Sequence, residues 1–206
     1  MDNLVTGMAD DKQGRDKQAH DTEKRQRKRY LSEELERGDE TEPEVDPATV
    51  DEFEGDLEKI GFPATAAELV EVIGDREIKT TIDSYTIAEL LPKTDAETFE
   101  EPKEVRVLIQ RPTIAAAMKR VVEASETLPN AELGRSQREA YEKTFRELKA
   151  IDADDDDEGI RVIADWIVEQ IHEKQKLPGS RGVRRRAAKF CRKNGYSVRN
   201  DEWLGV

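Results

Sequence analysis

Ile160, Ile163, Ile167 and Ile171 recur at spacings of three, four and four. An α-helix brings residues so spaced onto one face, and that face needs a cover. Val162, Trp166 and Val168 broaden the apolar surface. A helix from about Gly159 to Lys176 is therefore predicted, with Trp166 as its anchor. A large apolar side chain of that kind contributes about 1.5–3 kcal/mol on burial.

Two further amphipathic stretches can supply the cover. Ser136-Gln137-Arg138-Glu139 has the pattern of a capping box, and Tyr141, Phe145, Leu148 and Ile151 follow on one helical face. Arg138, Lys143 and Arg146 fall on the side expected to be solvated. Upstream, Pro112 is placed to start a helix carrying Ile114, Ala117, Met118, Val121, Val122 and Ala124. Met118 reads as core filling, and Tyr141 as packing rather than catalysis.

The region before it breaks into shorter pieces. Thr65 with Glu68 is a capping box opening a helix whose apolar positions are Leu69, Val70, Val72 and Ile73, closed by Gly74-Asp75. Glu77–Thr81 and Ser84–Tyr85 have the composition of two short strands. Thr86-Ile87-Ala88-Glu89 opens another capped helix that Pro92 stops, and a helix after Pro102 carries Val105, Leu108 and Ile109.

Apolar residues make up 35% of the 206-residue chain and charged residues 39%, too little apolar surface to pack the whole length. The shortfall falls on residues 1–59. Lys12–Arg29 is rich in charge and nearly empty of large apolar groups, and Asp39–Glu58 holds ten acids and no base. Pro43 and Pro47 argue there for an acidic linker rather than a long helix. The expected organisation is a charged, disordered tail and linker over 1–59, a small mainly helical domain over 60–130, and a helical unit with a basic end over 131–206. The fold class is mainly α, with room for one small β-hairpin.

A resemblance accompanies this reading. Met8-Ala9-Asp10-Asp11-Lys12-Gln13-Gly14-Arg15-Asp16-Lys17-Gln18-Ala19 and the stretch Glu33–Asp39 resemble the opening of an uncharacterised family of small acidic proteins from salt-loving archaea. Phe62-Pro63-Ala64-Thr65-Ala66-Ala67-Glu68-Leu69-Val70 with Gly74-Asp75-Arg76-Glu77, and Thr98-Phe99-Glu100-Glu101-Pro102-Lys103-Glu104-Val105-Arg106, resemble its domain. The family's Gly-rich turn and closing Gly and Tyr pattern are missing from residues 80–130. The resemblance implies a halophilic protein and carries no activity or catalytic residue with it. A formal net charge of −13 fits a surface suited to high salt. High salt in turn screens simple charge attraction, so a nucleic-acid contact there also needs shape and hydrogen bonds.

Against that acidity, Lys174–Asn200 holds ten Lys or Arg and no Asp or Glu. Leu177-Pro178-Gly179-Ser180-Arg181-Gly182 reads as a turn, and Val183–Asn194 as a helix ended by Gly195. Val183, Ala187, Phe190 and Cys191 share its apolar face, with Arg186 at the flank. Arg181, Arg184, Arg185, Lys189, Arg192 and Lys193 are the candidate anion- or partner-binding residues, because guanidinium and ammonium groups supply both charge and donors. Tyr196-Ser197-Val198 has strand character, and Trp203 with Leu204 is placed to fold back as a lid.

The expected function is that of a non-enzymatic regulatory or adaptor protein with a protein partner. The alternative is a nucleic-acid-associated protein, on DNA or RNA, holding phosphates on the basic helix. No P-loop, dinucleotide fingerprint or linked nucleophile and base is present. One cysteine, Cys191, rules out an internal disulfide and a cysteine-type zinc site. Cys191 and His172 read as packing or surface residues. Asp154, Asp156, Glu158 and Asp165 form a weak calcium-loop pattern. The ordinary reading of that run is an acidic helix start, with Asp157 and its neighbours favouring the helix N-terminus. No metal and no cofactor is expected. The chain lacks an eighteen-residue apolar run and a signal peptide, so no membrane contact and a cytoplasmic location are expected.

Overall fold

The computed structural model describes residues 45 and 47–196, less 81–82, 95–96, 130, 132 and 152–156. The features expected in the tail, the carboxylates Asp154 and Asp156, the strand after Tyr196 and the Trp203-Leu204 lid lie outside the described residues.

Eight helices are present among those residues: α1 Pro47–Leu57, α2 Ala66–Ile73, α3 Ile87–Leu90, α4 Pro102–Ile109, α5 Pro112–Glu126, α6 Arg135–Lys149, α7 Glu158–Lys174 and α8 Ser180–Asn194. Four short strands, β1 Ala64–Thr65, β2 Glu77–Lys79, β3 Ser84–Thr86 and β4 Thr98–Phe99, make two antiparallel pairs, β1 with β4 and β2 with β3. The mainly α architecture with a small hairpin is the one the sequence predicts. In the hairpin Glu77 faces Thr86 and Lys79 faces Ser84 across the register. Thr80 Oγ1 bonds Asp83 from both sides, accepting from its N–H and donating to its carbonyl, which ties off the turn.

Local sequence chemistry sets the helix starts. Thr65 and Glu68 form the expected reciprocal capping box, as do Thr86 and Glu89. Each carboxylate takes its cap's backbone N–H at 2.7 Å, and those bonds hold both acids below the usual carboxylate range. Pro102 and Pro112 start α4 and α5, where a missing N–H costs nothing.

The apolar side chains gather into two cores. The first holds Val50, Phe53, Leu57, Leu69, Ile78, Ile87, Leu90, Phe99, Val105 and Ile109. The second holds Met118, Val121, Tyr141, Phe145, Leu148 and the four isoleucines of α7 with Val183, Ala187 and Cys191 of α8. Helix α5 serves both: Ala115 faces the first core, while Ile114, Ala117, Met118 and Val121 face the second.

Three expectations need correction. Within the expected acidic linker, Pro47–Leu57 forms α1, because Val50, Phe53 and Leu57 recur at helical spacing and are buried against the first core. Pro47 opens that helix rather than breaking it. Val72 points outward at 66% exposure, since Leu69 and Ile73 already fill the buried arc of α2. Ser136 caps nothing. Gly134 is the N-cap of α6, two residues earlier, and Glu139 pairs with Arg135 at 2.7 Å.

Candidate nucleic-acid interface

The basic helix α8 is seated by small side chains. Val183, Ala187, Ala188 and Cys191 are buried, and their size lets the backbone lie close to α6 and α7. Its entry is pinned from α6. Tyr141 Oη donates to the Pro178 carbonyl, and Gln137 Nε2 donates to that carbonyl and to Tyr141 Oη, each at 2.8 Å. Burial pushes the Tyr141 phenol up to about 12, against the smaller opposing effect of the Gln137 bond. The helix ends on Gly195, whose φ of 74° is the left-handed conformation a glycine adopts without cost, and Tyr196 N–H returns to the Cys191 carbonyl at 2.9 Å.

Seating that face turns the charged one outward. Arg181, Arg185, Lys189, Arg192 and Lys193 are exposed, and no carboxylate among the described residues pairs with any of them. Arg181, Arg185, Lys189 and Lys193 are successive i,i+4 neighbours, rising about 6 Å per step along one side of the helix. Arg184, the sixth candidate, is half-buried and stands apart from this row. Arg186 does too: its guanidinium lies over the Trp166 ring, 5.9 Å from the centroid. That contact between α7 and α8 carries no sequence signal, because it depends on how the two helices dock.

The acidic candidates do not converge. Glu158 opens α7 and Asp165 lies seven residues along the same helix, about 10 Å away by helical rise, too far to share one ion. Asp165 is exposed and pairs with Arg120. No cluster of three potential metal ligands occurs among the described residues. Asp157 sits at the N-cap of α7 with φ 54°, but its side chain turns away from the helix N–H groups. It accepts from Lys149 Nζ at 2.6 Å and Thr113 Oγ1 at 3.3 Å.

Arg138 is the reverse of its expected solvated state. Its side chain is 15% exposed and bonds Glu97 at 2.6 Å and Glu142 at 3.1 Å. Burial works against its charge, and the two carboxylates more than offset that, so its pKa lies above the ordinary arginine value. The pair joins α6 to the segment leading into β4.

Residues 44–121 match a family of unknown function, DUF5789. The match spans α1 to α4 and most of α5, and includes the resembling segments between 60 and 106; residues 8–39 and the whole of α6 to α8 lie outside it. No curated protein and no solved structure matches the chain. Among the described residues no helix is long and apolar enough to cross a membrane.

Proposed function

We propose that this protein is a non-enzymatic nucleic-acid-binding protein that holds phosphates on the exposed face of α8. The observation that carries this reading is the row Arg181, Arg185, Lys189 and Lys193 with Arg192 beside it, open to solvent and without a carboxylate partner among the described residues. Like charges at i,i+4 repel by about 0.2–0.5 kcal/mol per pair. Helix α8 carries three such pairs and no acid to relieve them. An arrangement that costs the free protein stability fits a surface completed by an external polyanion.

A protein partner, the first expectation from sequence, needs more than charge. Protein interfaces centre on buried apolar or aromatic anchors. The outward row of α8 is itself all charge, the rings beside it (Trp166, Phe190 and Tyr196) are only partly exposed, and Val72, a large apolar residue exposed at 66%, is away on α2. A regular polyanion needs only evenly spaced cations.

The test is equilibrium binding of labelled oligonucleotides to the wild type and to a variant with Arg181, Arg185, Lys189 and Arg192 all replaced by Gln. Micromolar or tighter binding that the variant loses supports the proposal. Binding unchanged by the four replacements, or none by the wild type, ends it.

A further inference from the structure

Beside the cationic row runs an edge of aromatic rings. Trp166 of α7, Phe190 of α8 and Tyr196 just after it are each partly exposed while packed on the second core. Arg186 lies against Trp166, and Phe190 follows Arg186 one turn further along α8, about 6 Å by helical rise. The Phe190 and Tyr196 rings are 5.9 Å apart between centroids and inclined at 52°, so they are not stacked face to face. At 100° per residue, Arg186, Phe190 and Lys193 fall within about 60° of arc, and Lys189 is the next position round. Flat, core-anchored groups and open cations thus share one side of the α7–α8 seam.

We infer that this seam selects single-stranded nucleic acid, with bases stacking on Trp166–Arg186 and on Phe190–Tyr196 while Lys189, Lys193 and Arg185 hold the phosphates. The inference rests on the nucleic-acid reading above and adds the form of the ligand. A duplex keeps its base faces inside its own stack and presents phosphates and base edges. A single strand presents base planes and phosphates together, and aromatic rings and guanidinium planes accept the bases without regard to sequence. Rings already fixed by core packing lose little freedom when a base arrives. An arginine lying over an indole offers its own guanidinium plane to a base.

The experiment compares oligonucleotides of about twelve nucleotides, as single-stranded DNA, single-stranded RNA and duplex DNA, on the full chain. The wild type should bind at least one single strand about tenfold tighter than the duplex. Phe190→Leu with Tyr196→Leu keeps apolar bulk and removes both rings; it should weaken the single strand about tenfold or more and leave the duplex within about twofold. Should that variant fail to fold, Trp203→Phe makes Trp166 the sole indole, and its emission should be quenched by the single strand and not by the duplex. Equal or tighter duplex binding by the wild type, equal weakening of both forms, or Trp166 emission indifferent to the single strand overturns the inference while leaving phosphate binding by α8 intact. Wild type that binds neither form removes the nucleic-acid reading and this inference with it.

Discussion

Replacing Arg185 and Lys189 by Gln should make this protein more stable. The two substitutions remove three i,i+4 repulsions, Arg181 with Arg185, Arg185 with Lys189, and Lys189 with Lys193. At about 0.2–0.5 kcal/mol each, the relief is about 0.6–1.5 kcal/mol. Little opposes it. Gln, Arg and Lys have nearly equal helix propensity. Neither Arg185 nor Lys189 has a carboxylate partner to lose among the described residues. The one competing effect is attraction to distant acids in a chain of net charge −13. In about 0.1 M salt the screening length is about 10 Å, so neighbours 5–6 Å apart still repel while distant attractions fade. With a urea slope of about 2 kcal/mol/M, the midpoint should rise by about 0.3–0.7 M. Urea is the right denaturant because guanidinium is itself a screening salt. In about 1 M KCl, where screening reaches about 3 Å, the gain should vanish. A midpoint that falls in 0.1 M salt would show that these cations have internal work, and would refute the reading of α8 as an open, self-repelling face.

Two structural predictions concern the anchors of α6. Arg138→Met takes the Arg138 guanidinium away from the Glu97 carboxylate, buried at 7% exposure, and should cost about 3–5 kcal/mol. Adding Glu97→Leu should recover much of that in a double-mutant cycle by chemical denaturation; simple additivity would mean that the two groups act separately. For Tyr141 the sign follows from a phenol whose folded pKa is raised to about 12. The folded state keeps this proton longer than the unfolded one, so the stabilisation is complete below about pH 10 and drains away as pH climbs through 12. The effect is about 2 kcal/mol once solvent screening is allowed for. Tyr141→Phe should therefore be less stable than wild type by about 1 kcal/mol at pH 8. Near pH 11 the gap should close; a gap independent of pH would contradict the assignment.

How far the fold was legible depends on the range of the interactions that fix it. The isoleucine repeat of α7, the Thr65–Glu68 and Thr86–Glu89 boxes and the helix-starting Pro112 act over one or two turns, and each stands in the structure where the residues place it. Helix α1 is masked by its own composition, because the acids around Val50, Phe53 and Leu57 outnumber the apolar residues whose helical period the packed core makes plain. The contacts of Arg138 and Arg186 are illegible in the sequence for a different reason. Their partners, Glu97 and Trp166, lie 41 and 20 positions away, and nothing near either arginine announces them. The candidate site was legible as a charge reversal and as a helix. Its openness, and the aromatic edge beside it, come from the docking of α7 on α8.

The most direct measurement of the central claim is the salt dependence of binding to a single strand. The three cations that hold a single strand's phosphates, Arg185, Lys189 and Lys193, call for log K against log salt with a slope of about −2, falling to about −0.7 when Arg185 and Lys189 become Gln. A slope that the two replacements leave unchanged, or one near zero from the start, would contradict it.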